Sequence, residues 1–509
     1  MARIEKLEAL VKKQKKENQK LKSEKKVLTS KKHSNNIISE ELTKYFSPSQ
    51  TKSIITSKRV QWSEEDIVKG LMLRSLSKKS YQHIRKKKIF PVPSISTLRK
   101  WVTRFDCSPG ILENVLVMLK KQISCDANEK LKLGVFCFDE MDFKKKFEYH
   151  QKTDRIFGPS KKVQVGMVRG LCGNWKQPVY FDFDSPMREN LLLEIIRKIE
   201  KNGIEVWAMT CDSGPSNQAL LKQLGITIDK TSFSNPADSS REIFVFQDVP
   251  HLLKLIRNHI LDEGIFVDGS TAKICRADFQ EILDANKTEF NILHKLKDIH
   301  IHCNGSQRQR VRMAAQVLSH TTATALKMLN PEKKNQSKFI NLINDWFDVL
   351  NSRTKFNTNK LSCGFGVHFN EQSEIIRNMI HSAETFKCDS NRKVFPFQKG
   401  IIVSSKSLLS LFNELKEKRG VEFLLTSHLN QDCLENFFSR VRAMGGTYSH
   451  PTTVECINRI RNLIIGRSSD LVVQTASVEM EQDECQNLTA ESGFLSQKLT
   501  ETIDQYPQP

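Results

Sequence analysis

No cysteine occurs before Cys107 in this 509-residue chain, and nowhere do two cysteines stand in a Cys-x-x-Cys pair. The twelve cysteines are scattered, and Cys137 and Cys211 sit inside apolar, strand-like runs. This spacing excludes a zinc finger and argues against a disulfide framework, so reduced, intracellular thiols are expected. Also missing is any apolar run of the roughly 18 residues that a bilayer crossing demands. The N-terminus is charged from Arg3 onward and has no apolar signal core, so neither a membrane span nor secretion is expected. A G-x-x-x-x-G-K-[ST] run is absent, which excludes a P-loop nucleotide site. Acidic charge is scarce: 58 Asp and Glu face 79 Lys and Arg, for a net charge of +21. Such an excess favours polyanions, because each neutralised phosphate releases condensed counterions. The alternative is a basic soluble protein without a nucleic-acid partner. What remains is an ordinary globular composition, 39% hydrophobic and 27% charged, with room for roughly two to four domains.

Residues 1–32 fit a heptad register, with Ile4, Val11, Asn18 and Lys25 at a and Leu7, Gln14, Leu21 and Leu28 at d. An Asn at a costs stability but fixes register and favours a two-stranded parallel pair. Arg3 with Glu8, and Glu17 with Lys22, fall at g and the following e, where opposite charges meet across the seam. A coiled coil that makes the chain a homodimer is expected, weak by itself because Gln14 and Lys25 lie on the seam. The alternative is a solvated, lysine-rich single helix. Lys12, Lys13, Lys15, Lys16 and Lys26 on its outer face suit nuclear import or DNA contact.

Residues 33–58 are polar and read as a linker; residues 59–125 read as a helix-turn-helix unit. Ser63 followed by Glu64, Glu65 and Asp66 supplies a capping hydroxyl and then carboxylates at the positive end of the helix dipole. Ile67, Leu71 and Leu73 to Leu76 give that helix an apolar side. A second helix over Ser80–Lys88 carries Tyr81 and Ile84. Pro91-Val92-Pro93-Ser94 then breaks the chain before a basic third helix that opens at Ser96. A third helix of this kind suits the DNA major groove, although small basic bundles are also common without DNA binding.

After a helix near 111–124 the pattern turns to strands. Leu131 to Phe138 is an apolar strand ending at Asp139-Glu140-Met141, followed by strands over Lys162–Cys172 and Gln177–Phe183 with Gly173-Asn174 turning between them. Met187–Ile199 has helical periodicity, and Ile204–Thr210 is a buried strand that delivers Cys211-Asp212-Ser213-Gly214. Strands, a helix and a further strand, with acids at two strand ends, match the start of an RNase H-like fold. Carboxylates that hold two Mg²⁺ ions can activate a water or a 3′-OH and stabilise the leaving oxygen of a phosphodiester. A lone Asp after a strand is weak evidence, because loops use Asp for turns.

The segments FDEM (138–141), TCDSGPSN (210–217), DVPHLLKLIRN (248–258) and NQDCLENFFSRVRAMGG (430–446) resemble, in order, the blocks of P-element-type DNA transposases and their THAP-transposase relatives. The resemblance runs from about Trp62 to Arg467. It implies an α/β, RNase H-like (DDE-type) core, with Asp139, Asp212 and Glu435 as the catalytic, Mg²⁺-binding acids. The residues agree for Glu435: Leu434, Phe437, Phe438 and Val441 form an apolar helix face, leaving Glu435, Ser439 and Arg442 on another. Asp248 is expected to cap the helix beginning at Val249-Pro250. His251, Lys254 and Arg257 on one side of that helix either face DNA phosphates or satisfy core carboxylates.

The long stretch between Asp212 and Glu435 exceeds what a bare RNase H-like fold needs. The core is therefore expected over 130–264 and 426–467, interrupted by a largely helical insertion over 265–425 with helices at Gln307–Leu329, Ser337–Ser352 and Ser404–Lys418. The resemblance implies that this insertion binds GTP as a cofactor of DNA assembly. Phe347, Asp348 and Asn351 match a guanine-recognition segment, with Lys295, Arg310, Val311 and Asp432 lining the same pocket; the family uses Lys where Arg310 stands. A carboxylate can accept from both N1–H and the N2 amine of guanine, and Asp348 and Asn351 share a helix face. Alternatively, Trp346, Phe347 and Leu350 are simply the core side of an amphipathic helix. Many relatives begin with a THAP zinc finger, which has no counterpart before Cys107. Residues 468–509 are polar and acidic and read as a disordered tail. The implied function is a nuclear transposase acting on double-stranded DNA; the alternative is a domesticated, transposase-derived DNA-binding protein without catalysis.

Overall fold

Seven strands pair into one mixed sheet in the computed structural model. The structure describes residues 12–23, 25–26, 38–56, 59–104, 107–124, 128–150, 154–267, 273–288, 296–388, 394–444 and 450–468. These fall into two units, one within Met1–Asp106 and Ile460–Val473, the other within Cys107–Arg459. Of the heptad segment, residues 12–23 and 25–26 are described and helical; the rest, like the acidic tail after 468, lies outside the described residues.

The first unit holds helices α1 (Pro48–Thr56), α2 (Glu64–Leu76), α3 (Lys78–Lys86) and α4 (Ile95–Arg104). Ser63 caps α2 in a reciprocal box with Asp66, as the Ser-then-acid pattern foretold. Ile67, Leu71, Tyr81, Val92 and Leu98 form a small core, and the Tyr81 hydroxyl donates to the carbonyl of Pro93 at 2.7 Å. Helix α1 corrects the expected linker over 33–58. Its polar sequence hides a packed element whose buried residue is Thr51 and whose anchors are polar: Ser47 donates to Asp66 at 2.6 Å, and Gln50 to the carbonyl of Pro91 at 3.0 Å.

The second unit opens with β1 (Gly110–Ile111) and α5 (Glu113–Ser124), then β2 (Leu133–Asp142), the hairpin β3 (Glu148–His150) and β4 (Arg155–Phe157), β5 (Lys162–Gly170), β6 (Lys176–Phe183), α6 (Glu189–Lys201), β7 (Glu205–Cys211), α7 (Pro215–Gln223), β8 (Ser232–Ser234) and β9 (Glu242–Gln247). The sheet order is β1-β6-β5-β2-β7-β9-β8, with β2, β7 and β9 parallel and their other neighbours antiparallel. Two elements grouped by sequence with the helix-turn-helix belong to this sheet: β1 pairs with β6, and Leu116 and Leu119 of α5 share a core with it. Parallel strands are buried on both faces, and alternation sorts their side chains. Phe136, Phe138 and Met209 face α5 and α6, whereas Val135, Ala208 and Phe246 face the opposite way.

That opposite face is covered by α8 (Val249–Asp262) and by the helices between the two parts of the core. After the short pair β10 (Ile265–Phe266) and β11 (Lys273–Ile274) come α9 (Arg276–Thr288), α10 (Asp298–Ile301), α11 (Val311–Val317), α12 (His320–Leu329), α13 (Lys334–Leu350), α14 (Phe369–Thr385) and α15 (Pro396–Arg419). The helix expected over Gln307–Leu329 is in fact two, because Ser319 leaves the helical path and caps α12 through the amide of Thr322. One continuous apolar cluster runs from Leu133 and Phe246 through Ile256 to Trp346, Met379, Ile401 and Leu408, so the insertion shares the core of the sheet.

Helix α15 reaches the sheet through small residues. Ser404 accepts from the amide of Gln247 at 2.9 Å and donates to its carbonyl at 3.2 Å, and Ser407 donates to the carbonyl of Thr231 at 3.1 Å. At Gly400 a Cβ would stand 2.6 Å from Gln247 Oε1 and 2.8 Å from Leu252 Cδ2, so the approach depends on the missing side chain. Gly400→Val is expected to lower unfolding free energy by about 1–3 kcal/mol in denaturant titration. Gly400→Ala should cost less, because both nearest atoms are ends of flexible side chains; equal loss from the two would refute the close-approach account.

Candidate active site

Two acids emerge side by side from the register of the parallel strands. Pairing of β2 with β7 ends at Cys137 opposite Thr210, so Asp139 and Asp212 each lie two residues beyond the last pair. The sequence placed Asp139 at the end of its strand, but β2 continues to Asp142 on its β5 side, where Asp139 stands opposite Val165. The next parallel pair ends at Cys211 opposite Gln247, which puts Asp248 beside Asp212, and the Asp248 amide donates to the carbonyl of Cys211 at 2.9 Å. Three neighbouring strands thus offer carboxylates at one edge, the usual position for a site on parallel strands.

The environments of the acids differ. Asp212 Oδ1 accepts from the amide of Gly214 at 3.0 Å and from the side-chain amide of Asn217, leaving Oδ2 for other partners. Asp139 Oδ1 accepts from the neighbouring amide of Glu140 at 2.7 Å. Burial, with the charges of Asp212, Glu435 and Glu140 added, pushes the Asp139 carboxyl up to about 7. Glu140 is drawn away into an ion pair with Lys162 at 2.7 Å.

Glu435 comes from α16 (Asp432–Ala443), whose Leu434, Phe437, Phe438 and Val441 are buried while Glu435 is exposed. The chain entering this helix is pinned to the same strand ends. Gln431 Nε2 donates to the carbonyl of Phe138 at 2.6 Å, and its backbone amide donates to Asp248 Oδ1 at 2.8 Å. Thr210 donates to the carbonyl of Leu429 at 2.9 Å, and the thiols of Cys137 and Cys433 meet at 3.3 Å. Surrounding protein raises the Glu435 carboxyl above its ordinary range, with Lys254 opposing and Asp432 adding to the shift.

Asp248 caps α8 as expected, Oδ2 accepting from the amide of His251 at 3.0 Å. One buried carboxylate therefore fixes the starts of both α8 and α16. Of the two roles left open for the cations of α8, Lys254 takes the second: it is buried and its charge acts on Asp248 and Glu435. Arg257 is also buried, donating to the carbonyl of Arg308 at 2.8 Å. Asn217 and Gln431 are the neighbours that sequence reasoning left without a role towards these acids; both stand within the segments that carry the acids, which was the available signal.

The donor set is all oxygen, and Asp139 feels the charges of Asp212 and Glu435, both of which suit a hard divalent cation. Among the described residues no three of His, Cys, Asp and Glu converge as a formed ion cage, so Asp139, Asp212 and Glu435 make a carboxylate neighbourhood and not a closed set of ligands.

A second cluster borders α16. Asp348 and Phe347 are half-buried on α13, and Asp348 Oδ2 accepts from Asn344 at 3.2 Å and Asn359 at 3.0 Å. Burial raises its carboxyl, assisted by Asp345. Asn351 accepts from Asn430 at 3.3 Å, and Asp432 pairs with Arg353 at 2.9 Å, an ion pair the sequence did not announce. Asn351 and Asp432 are thus brought together, whereas Arg310 and Val311 begin the separate helix α11 and form no hydrogen bond with α13 among the described residues. Lys295 lies outside the described residues.

Three family models match in order: TNP-like RNase H N-terminal domain over 107–225, TNP-like GTP-binding insertion domain over 250–362 and TNP-like RNase H C-terminal domain over 427–455. The Drosophila melanogaster transposable element P transposase is 37% identical over 442 residues, covering 85% of this chain and 58% of its own. The solved Drosophila P element transposase strand transfer complex is 36% identical with a TM-score of 0.80, covering 86% of this chain and 99% of that chain. The chain belongs to the P-element transposase family. The Homo sapiens DNA transposase THAP9 is a more distant relative, 25% identical over 417 residues. This chain spans about half the length of these curated relatives, 58% of the first and 45% of the second. As in that family, its RNase H-like core is interrupted by a GTP-binding insertion domain.

Removing the Asp248 carboxylate tests the shared anchor. Asp248→Ala leaves two buried amides without an acceptor and should cost at least about 1–3 kcal/mol, with Asp248→Asn, which keeps one acceptor, costing less. Burial raises this carboxyl to about 8, outweighing the bond from Gln431. The folded state therefore binds the proton more tightly, and its contribution to stability falls as pH rises from about 4 towards 8. Asp248→Asn should flatten that decline in denaturation midpoints measured across the range; an unchanged slope would contradict it.

Proposed function

We propose that this P-element-type transposase cuts and joins double-stranded DNA in the nucleus, with Mg²⁺ for chemistry and GTP as an assembly cofactor. One observation carries the reading: Asp139 and Asp212 stand beyond the paired ends of adjacent parallel strands, with Glu435 close enough to raise the Asp139 carboxyl. A net charge of +21 and family membership support DNA as the substrate.

In this reading Asp139, Asp212 and Glu435 would hold the divalent ions, which when bound activate a water or 3′-OH and stabilise the leaving oxygen. The protein's own groups do the positioning. Asn217 and the Gly214 amide hold Asp212 Oδ1, which leaves Oδ2 outside both bonds. Gln431 ties the start of α16 to the strand carrying Asp139, and Lys254 keeps a fixed positive charge near Glu435.

For the nucleotide, Asp348 would accept from guanine N1–H and N2, Phe347 would stack on the base, and Asn351 and Asp432 would border it, with Lys295, Arg310 and Val311 completing the pocket. Asp348 now accepts from two asparagine amides, so it already occupies a setting built for N–H donors. Dimerisation through the heptads of residues 1–32 would bring two such cores to paired DNA ends.

Asp139→Ala, Asp212→Ala and Glu435→Ala should each abolish Mg²⁺-dependent cleavage of transposon-end DNA while the fold, followed by circular dichroism, stays intact. Persistent cutting by Asp212→Ala would sink the assignment. DNA that is bound but never cut, even by the unaltered protein, would support the domesticated alternative. Asp348→Ala should weaken GTP by roughly tenfold or more, the worth of a charge-assisted hydrogen bond; calorimetry showing equal GTP affinity would exclude it from the pocket.

A further inference from the structure

The hairpin that leaves the end of the Asp139 strand has its apolar side outward. In β3 and β4, Tyr149 lies directly opposite Ile156, so both point to one side, and Phe147 just ahead of β3 follows the same alternation. Their exposures are 65% for Phe147, 58% for Tyr149 and 72% for Ile156. The other side is half-buried: Glu148 Oε2 accepts from the amide of Val454 at 3.3 Å, and His150 packs edge-on to Phe157 at 5.9 Å. The base is fixed as well, with the Phe143 amide donating to the carbonyl of Lys161 at 2.8 Å and that of Lys144 to Pro451 at 3.3 Å. The hairpin is therefore anchored by its inner side and presents a fixed apolar outer side.

Single exposed apolar residues are ordinary; three on one side of a hairpin are not. Their surroundings identify the occupant. Lys144, Lys145 and Lys146 precede Phe147 directly, all three exposed, whereas Arg155, also exposed, stands opposite His150 on the inner side of the pair. None of the three lysines forms an ion pair among the described residues. Cations interleaved with aromatic rings fit a strand whose bases have left the duplex, the rings meeting base faces and the cations meeting phosphates. A protein partner would be met by an apolar centre with charge at the rim, not by a lysine run leading into it. At about 3.3 Å per residue the chain from Asp139 spans at most roughly 17 Å to Lys144 and roughly 33 Å to Tyr149, so a strand gripped here lies within a few nucleotides' reach of the acids.

We propose that this hairpin grips unpaired DNA next to the cutting site, with Phe147, Tyr149 and Ile156 against bases and Lys144, Lys145 and Lys146 against the backbone. The proposal rests on the DNA-cutting reading and adds to it the kind of DNA that the site prefers: a junction of duplex and unpaired strand.

The test uses the full chain, without divalent cations, so that it reads binding alone. Fluorescence anisotropy compares a plain duplex with the same duplex carrying an unpaired arm. The unaltered protein should prefer the armed DNA. The triple variant Phe147→Ala, Tyr149→Ala, Ile156→Ala should lose roughly tenfold or more on the armed DNA and little on the duplex. Tyr149→Phe, which removes only the hydroxyl bonded to Asp154, should keep the preference. Lys144→Ala, Lys145→Ala, Lys146→Ala should weaken both DNAs and flatten the salt dependence. No preference in the unaltered protein, or an unchanged preference in the triple variant, overturns the proposal. So does a change of oligomeric state in sedimentation, which would assign the patch to a protein contact. If Asp212→Ala is dead in cutting while the triple variant keeps its preference, the hairpin proposal fails alone; if Asp212→Ala still cuts, the active-site reading fails first.

Discussion

The segment from Thr426 to Cys433 is almost wholly buried, and that burial dictates much of the second unit. Buried backbone must find partners, and here the partners come from elements far apart in the chain. Ser427 accepts from Arg169 at 3.2 Å, His428 Nδ1 meets the carbonyl of Gly170 at 2.9 Å, Leu429 accepts from Thr210, and Gln431 reaches both Phe138 and Asp248. Glu435 follows one turn after this anchored stretch. Its place relative to Asp139 is therefore set by hydrogen bonds to the strand ends themselves, and not by the path of the long insertion.

The same segment ties that insertion down. Thr426 donates to the carbonyl of Val349 at 2.6 Å and exchanges bonds with Ser352, the amide of each residue donating to the hydroxyl of the other at 2.9 and 3.1 Å. The helix α13, with Phe347 and Asp348, therefore ends on the stretch that begins α16. Asn430 bridges Asn351 and the amide of Asp432, and Asp432 binds Arg353. The segment carrying Phe347 and Asp348 and the helix carrying Glu435 therefore meet within a few hydrogen bonds. Together with the apolar cluster shared by sheet and insertion, this makes the inserted helices part of the core's own packing.

Which parts of this were legible beforehand follows from the range of the signals. Apolar runs ending in acids marked β2 and β7, and the spacing of Leu434, Phe437, Phe438 and Val441 marked α16, because both are periodicities within one element. The capping of α2 by Ser63 and of α8 by Asp248 was legible for the same local reason. Helix α1 was not, since its contacts are polar and depend on Asp66 and Pro91 beyond its own residues. The break at Ser319 was hidden because a serine can sit within a helix or cap one. The second bond of Asp248, to Gln431, joins residues that no local pattern relates. Lys254 was equally ambiguous: helical spacing gave its side of α8, and only the fold brings that side to carboxylates.

Electrostatics sets the final constraint. A chain with a surplus of 21 positive charges nevertheless gathers Asp139, Asp212, Asp248, Asp432 and Glu435 at one edge of its sheet, against the buried charge of Lys254. Loss of solvent around the carboxyls disfavours ionisation first and neighbouring negative charge second, so Asp139 rises to about 7, with Asp212 and Glu435 adding, and Glu435 rises as well, with Asp432 adding. Near neutral pH, protons and a divalent ion compete for the same oxygens. An ion held there, as proposed, would favour the ionised carboxylates against the effect of burial and displace protons as it binds. The hydrogen bonds to Asp212 and Asp248 and from Gln431 hold the backbone around the acids against that unfavourable gathering of negative charge.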